Sequence, residues 1–387
     1  MLLQILDADY FLNSNKPIIR IFGKTDKGNP VCCFYDKFLP YFYLKPKNPQ
    51  KLMEKIKELN LNWEEEEKYL PIGYSEFPER LIKIFLSNPQ DVPKFRDILS
   101  PYADCYESDI LFKYRFMIDF GLRGMQWIEV DAERSFTNMS KVANFQAKNF
   151  KHIDRKDNAD LKYLSLDIEC LWLDRLRPID ATKDPIIIIS LAFEPEYKSM
   201  KSLALVAKAT AMPGCISFSN EKEMLEGLIK IMDDYDPDII TVYNLNDFDI
   251  PHLVSIFQKY GLSQNMGRSD KQTFTKTIGQ YRESIISGRV VVDPFLILKR
   301  DPNVRLYKYD LNTVAKQFLG EGKDDEVKSD IDKYWNGSQN DLRKLIEYAK
   351  KDAELSLRLI TENKLLDRFF ELSKISGLLL QDCFGGQ

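Results

Sequence analysis

Four acidic residues in three widely separated runs are the candidates for chemistry. They are Asp167 and Glu169 in Tyr163-Leu-Ser-Leu-Asp-Ile-Glu, Asp249 in Tyr243-Asn-Leu-Asn-Asp-Phe-Asp, and Asp352 in Tyr348-Ala-Lys-Lys-Asp. Each falls where a hydrophobic element ends or turns. Asp167 and Glu169 are two apart on an expected strand over 162–168, so both point to one face, while Leu164, Leu166 and Ile168 take the other. Asp249 falls in the first turn of an expected helix over 249–260, where the helix dipole favours negative charge. Tyr348 and Asp352 are four apart in a helical pattern and share a face. Uncompensated buried charge is costly. Two divalent cations would compensate four carboxylates, and two metals about 4 Å apart are a device for cutting phosphodiester bonds.

Taken singly, each run has a plain structural explanation. Asp167 and Glu169 could be solvated acids on an edge strand, Asp249 an ordinary helix-start acid, and Asp352 an exposed residue beside Lys350 and Lys351. The surrounding elements must therefore be considered. The 387 residues suit two or three domains, and a composition of 44% hydrophobic and 29% charged residues can fill real cores. No apolar run is long enough to span a bilayer, and Met1-Leu-Leu-Gln-Ile-Leu-Asp lacks the features of a signal peptide. Six scattered cysteines and only two histidines, His152 and His252, argue against zinc and for reduced thiols in a cytoplasmic protein. The net charge of −4 leans against nucleic-acid binding, but a carboxylate-rich site lowers the total and phosphate contacts need only a local basic surface.

Strands are expected at Leu2–Phe11, Pro17–Gly23, Val31–Tyr35 and Tyr41–Leu44, with a turn at Asn13-Ser-Asn. Helices are expected after Asn48-Pro and Asn88-Pro-Gln-Asp-Val-Pro. Residues 1–130 thus read as an α+β domain and the polar stretch 131–160 as a linker. An α/β alternation follows over 161–368, with strands near 162–168, 185–193, 203–208, 238–243 and Arg289–Asp293 and helices at Ser219–Tyr235, 249–260 and Gln339–Leu366. The stretch Gly267–Lys276 reads as basic and polar.

In this order, the three acidic runs resemble exonuclease motifs I, II and III of family B DNA polymerases. Leu6-Asp-Ala-Asp-Tyr, Pro17-Ile-Ile-Arg-Ile-Phe, Phe38-Leu-Pro-Tyr-Phe-Tyr and Asn88-Pro-Gln-Asp-Val-Pro are similar to the N-terminal domain of archaeal members. The resemblance implies an α/β (α+β) fold: a ribonuclease-H-like 3′→5′ exonuclease domain, its mixed sheet flanked by helices, preceded by a smaller α+β N-terminal domain. It implies that Asp167, Glu169, Asp249 and Asp352 bind two Mg²⁺ or Mn²⁺ ions, that Tyr348 orients the attacking water, and that Asn244, Phe248 and Leu171 hold the 3′ end of a single-stranded or frayed primer. The expected product is a nucleoside 5′-monophosphate. Two residues depart from the family pattern: Cys170 stands where Thr is usual and Leu245 where Gly is common. Neither would be a metal ligand.

The resemblance also implies a template-uracil pocket formed by Tyr10, Pro40, Tyr41, Pro89, Gln90, Asp91, Val92, Phe112 and Arg115. A snug pocket of this kind would exclude thymine through its methyl group. Leu111 stands where the family commonly has Pro. Residues 369–387 would begin the connection to the palm, and no run with the nucleotidyl-transfer carboxylates is present. The expected partners are DNA, C-terminal polymerase domains or a separate polypeptide carrying them, and a sliding clamp bound through that part, with no membrane. The alternatives to a self-sufficient exonuclease are a non-catalytic uracil-sensing module and a scaffold half active only with its partner.

Overall fold

The computed structural model describes residues 1–70, 76–244, 248–278, 281–323 and 326–385. Strands β1 (Leu2–Asn13) and β2 (Lys16–Thr25) form a hairpin whose connecting residues, Ser14 and Asn15, take φ of 49° and 65°. A two-residue turn with both φ positive matches the right-handed twist of its strands. β3 (Pro30–Tyr35) continues the sheet along β2. An inserted unit follows: β4 (Tyr41–Pro46), α1 (Pro49–Glu58), β5 (Asn62–Lys68), β6 (Glu79–Phe85), α2 (Val92–Leu99), β7 (Ala103–Tyr106) and α3 (Phe112–Asp119). Its sheet has the order β5-β6-β4-β7. The side chain of Asn48 caps α1 by accepting from the Lys51 N–H, and that of Asn88 accepts from the Gln90 N–H to start the short 3₁₀ turn before α2.

The chain then returns as β8 (Trp127–Ser135) and β9 (Ala143–His152), closing a barrel of order β1-β2-β3-β9-β8. Much of the stretch expected as an irregular linker at 131–160 is therefore barrel strand, and strand pairing continues to His152. The pleat explains the difference. Ile128, Val130, Ala147 and Phe150 face the barrel core, while Glu129, Asp131, Glu133, Lys148 and Lys151 face solvent. The polar half of the alternation gives the segment its loop-like composition.

The second unit is a mixed sheet of order β13-β12-β11-β10-β14-β17. Its strands are β10 (Tyr163–Cys170), β11 (Ile186–Tyr197), β12 (Met200–Val206), β13 (Cys215–Ser217), β14 (Ile239–Thr241) and, beyond a hairpin of β15 (Phe274–Ile278) and β16 (Tyr281–Ile285), β17 (Val290–Val292). The basic, polar stretch 267–276 leads into the first strand of that hairpin. Helices α4 (Glu221–Tyr235) and α5 (Asp249–Lys259) cover one face, where Leu164, Leu166 and Ile168 pack against Met224, Leu228, Ile250 and Leu253. After α6 (Pro294–Arg300), α7 (Leu311–Leu319), α8 (Glu326–Ser329) and α9 (Ile331–Asn336), the long α10 (Gln339–Thr361) crosses the other face. A capping box between Ser338 and Asp341 starts α10, and the Ser190 hydroxyl on β11 donates to the Ala349 carbonyl at 2.8 Å, fixing helix against sheet. The described residues end in α11 (Asp367–Ser376) and α12 (Leu380–Cys383). Among them no helix is long and apolar enough to cross a membrane.

A buried ionic seam joins the units. Lys24 on β2 pairs with Asp238; Arg268 donates to Asp238 at 2.7 Å and to Asp236 at 2.8 Å; Arg289 donates to Asp236 at 2.6 Å. Nearby, Ser287 donates to Asp9 at 2.9 Å and the Gly288 N–H to Asp7 at 2.8 Å.

Candidate active site

β10 positions the first two acids. Its apolar face is buried under α4 and α5, so the alternation turns Asp167 and Glu169 towards α10. The pairing with β11 shifts register between Glu169 and Cys170, where the strand bulges at the site. On α10, Tyr348 and Asp352 lie one turn apart on the face directed at β10, and both are buried. One carboxylate oxygen from each of Asp167, Glu169 and Asp352 lies within 4.8 Å of the others. Three of the four expected acids thus converge.

Asp249 opens α5 and is buried beside this trio. Its carboxylate accepts from the backbone N–H groups of Ile168 and Asp249 itself, which ties it to β10. Burial pushes the Asp167 carboxyl well above the ordinary carboxylate range; Asp352, Glu169 and Asp249 add to this and Lys323 opposes it. Burial, opposed by the two backbone donors and helped by Asp293 and Glu169, also holds the Asp249 carboxyl well above its ordinary value. Burial, then Asp352, Glu169 and Asp167, raises the Tyr348 phenol, so it stays protonated.

These groups line a cleft of 880 Å³, together with Asn244, Phe248, Trp172, Arg175, Phe295, Lys308, Tyr309 and Lys323. Asn244 has φ of 63°, a left-handed conformation that Asn tolerates, and its N–H donates to Asp293 at 2.9 Å. Phe248 stacks near His252, with ring centroids 5.1 Å apart. Leu171 does not line the cleft. Its N–H donates to the Pro185 carbonyl at 2.9 Å and its side chain packs with the apolar cluster beneath α10. Cys170 is buried on the α5 side, with Sγ 3.4 Å from His252 Nε2. Leu245 lies outside the described residues.

Lys323 was not singled out by its sequence. Its ammonium pairs with Asp352 Oδ2 and donates to Tyr348 Oη at 2.9 Å, and its side chain is 6% exposed. The Lys323 N–H is pinned by Asn312 Oδ1 at 3.0 Å. The preceding Gly322 allows this approach: a Cβ there would lie 2.6 Å from that same Oδ1 and 2.4 Å from Lys316. A lysine in a short charged loop gives no periodic signal.

In the N-terminal half, Tyr10, Pro40, Tyr41, Pro89, Val92, Phe112 and Arg115 line a second cavity of 460 Å³, with Lys271, Phe274 and Asp382 at its far side. Gln90 and Asp91 do not line it, although Gln90 hydrogen-bonds Tyr10. Leu111 lines it and is 62% exposed. Arg115 donates to Tyr41 at 3.0 Å and Glu107 at 2.7 Å, while its buried Nε has no acceptor within the protein.

Residues 103–314 match the profile of the exonuclease domain of DNA polymerase family B, a span that includes Asp167, Glu169 and Asp249 and ends before Tyr348 and Asp352. The chain is 30% identical to the DNA polymerase delta catalytic subunit of Schizosaccharomyces pombe over 97% of its own length and 39% of that protein. It is 30% identical to a DNA polymerase of Archaeoglobus fulgidus, covering 98% of this chain and 45% of that one. Its fold is similar to the family B DNA polymerase of the hyperthermophilic archaeon Pyrobaculum calidifontis, with a TM-score of 0.82 at 23% identity over 100% of this chain and 48% of the other. The chain therefore spans 39–45% of the length of these curated relatives.

Proposed function

Since the chain belongs to DNA polymerase family B and carries that family's exonuclease domain, we propose that its cleft removes nucleotides from the 3′ end of a single-stranded or frayed DNA strand, releasing 5′-monophosphates. The observation that carries this is the convergence of Asp167, Glu169 and Asp352, with carboxylate oxygens within 4.8 Å of one another. Oxygen-only donors, with Glu169 and Asp352 buried and Asp167 partly so, fit a hard divalent cation. Asp167, Glu169, Asp249 and Asp352 would hold two Mg²⁺ or Mn²⁺ ions. When bound, such ions supply charge stabilisation at the phosphodiester and a nucleophilic water at neutral pH.

The protein groups provide the rest. Tyr348 keeps its proton, accepts from Lys323 and hydrogen-bonds Asp352, so its hydroxyl is fixed at the carboxylate cluster, where it would orient an attacking water. Phe248 offers an apolar face for the terminal base and Asn244 an exposed amide at the cleft wall. Leu171 has no part in this assignment. The partners implied are DNA, the polymerase domains that accompany this part in the longer relatives, and through them a sliding clamp, in a cytoplasmic setting.

A labelled single strand incubated with the chain and Mg²⁺ should shorten from its 3′ end. Asp167→Ala combined with Glu169→Ala should lower the rate by at least about a thousandfold, as expected when transition-state charge stabilisation is lost. Equal rates for the variant and the unaltered chain would refute the assignment. No cutting by either would favour the scaffold or sensing alternative.

A specific observation favours a second site. The cavity bounded by Tyr10, Tyr41, Val92 and Phe112 is also lined by Arg115, whose buried Nε has no acceptor within the protein, and we propose that it takes a template pyrimidine, uracil rather than thymine. Fluorescence titration with strands differing only in that base is the test, and equal affinities would remove the proposal.

A further inference from the structure

We propose that Lys323 is a built-in cation that competes with the metal for Asp352, so that metal binding must displace it. This rests on the metal-dependent reading above and adds an element of control to the same cleft. Lys323 Nζ sits on Asp352 Oδ2, one of the carboxylates whose oxygens converge. It also accounts for part of the charge balance. Four carboxylates crowd the cleft, and Lys323 opposes their mutual effect on Asp167. The lysine is held from two sides: its N–H is fixed by Asn312 and its ammonium lies 4.7 Å from the Tyr348 ring centroid. A cation coordinated by Asp352 cannot share Oδ2 with an ammonium in hydrogen-bond contact without strong like-charge repulsion.

The geometry gives Lys323 somewhere to go. Its 2.9 Å bond to Tyr348 Oη can persist when the Asp352 contact is broken. Further along the chain, Ser329, Ile331 and Asp332 also line the cleft, as does Arg175. Asp332 accepts from Arg175 at 2.9 Å, so the lining of the cleft also holds an ion pair of its own.

The test is Mn²⁺ binding by the whole chain, followed by electron paramagnetic resonance of free Mn²⁺ or by calorimetry, without DNA. Lys323→Met should tighten the Mn²⁺ Kd by roughly tenfold or more, because a fixed positive charge next to the site is gone. Lys323→Gln, which keeps a hydrogen-bonding side chain, should do the same and serves if the methionine variant folds poorly. Lys323→Arg should stay within about twofold of the unaltered chain. A residue that merely supported the fold would weaken binding when removed. Unchanged or weaker Mn²⁺ binding by both neutral variants would overturn the proposal and leave the nuclease assignment standing. Absence of Mn²⁺ binding by the unaltered chain would instead overturn both.

Discussion

Two members of the same acidic cluster should respond in opposite ways to the same chemical change. Asp167→Asn and Asp352→Asn each replace a carboxylate by an isosteric amide. Asp352 pairs with Lys323, and the two side chains are 8% and 6% exposed. Breaking a buried pair from one side costs about 3–5 kcal/mol. Lys323 keeps its bond to Tyr348 and the field of Asp167, which reduces the expected loss to about 2–3 kcal/mol. Asp167, in contrast, is pushed well above the ordinary range by burial and by Asp352, Glu169 and Asp249. Its amide removes like-charge repulsion and should stabilise the metal-free protein by about 1–2 kcal/mol. The pH dependence has a definite sign. An acid whose folded pKa is raised is strained at neutral pH, and the strain is relieved as pH falls through the raised value, towards the ordinary carboxylate range near 4. The unaltered chain should therefore gain stability from Asp167 as pH falls through that window, and Asp167→Asn should lack the gain. Thermal unfolding in EDTA at pH 7.5 and 5.5 reads both effects, with Asp352→Asn melting about 3–6 °C lower and Asp167→Asn higher. Equal destabilisation by the two amides would refute the electrostatic account of the cluster.

Other consequences can be measured separately. Mn²⁺ or Mg²⁺ at a hundred times Kd should stabilise the unaltered chain by about 2.7 kcal/mol and so raise its melting temperature, and Asp167→Ala plus Glu169→Ala should abolish that rise. Asp184 accepts from Arg177 at 2.6 Å and from the N–H groups of Leu173 and Asp180, and Arg177 foremost holds its carboxyl well below the usual range. Its contribution is present at neutral pH and is lost as pH falls through the depressed value, so Asp184→Asn should increase proteolysis within 171–185 at pH 7 and narrow the difference on strong acidification. Cys170→Thr replaces the thiol by a hydroxyl in reach of His252 and should shift stability by less than about 1.5 kcal/mol; a larger loss in thermal unfolding would mean the thiol fills space that Thr cannot.

The parts of the site that were legible in the sequence are those set by periodicity. Alternation along β10 places Asp167 and Glu169 on one face, and helical spacing places Tyr348 and Asp352 on another. The match of 103–314 to the family B exonuclease domain agrees with the resemblance carried by the acidic runs. What was illegible depends on tertiary approach. Lys323 comes to Asp352 from 29 residues away, through a glycine whose significance lies in a neighbour's side chain. Strands β8 and β9 were concealed by their solvent face, since barrel closure makes use of only half of each alternation. Leu171 was placed by family resemblance, whereas its N–H bonds the Pro185 carbonyl and its half-buried side chain packs against the cluster beneath α10.

The joint of Lys24, Asp236, Asp238, Arg268 and Arg289 has a practical consequence for handling the molecule. Counterions screen exposed charges within about 10 Å at 0.1 M salt but act much less on groups sealed from water. Arg268 and Asp238 are 1% and 0% exposed. Brine concentrated enough to strip a nucleic acid from the outer surface should therefore leave barrel and sheet clasped. Warming also favours such a clasp, because the cost of dehydrating ions falls as temperature rises.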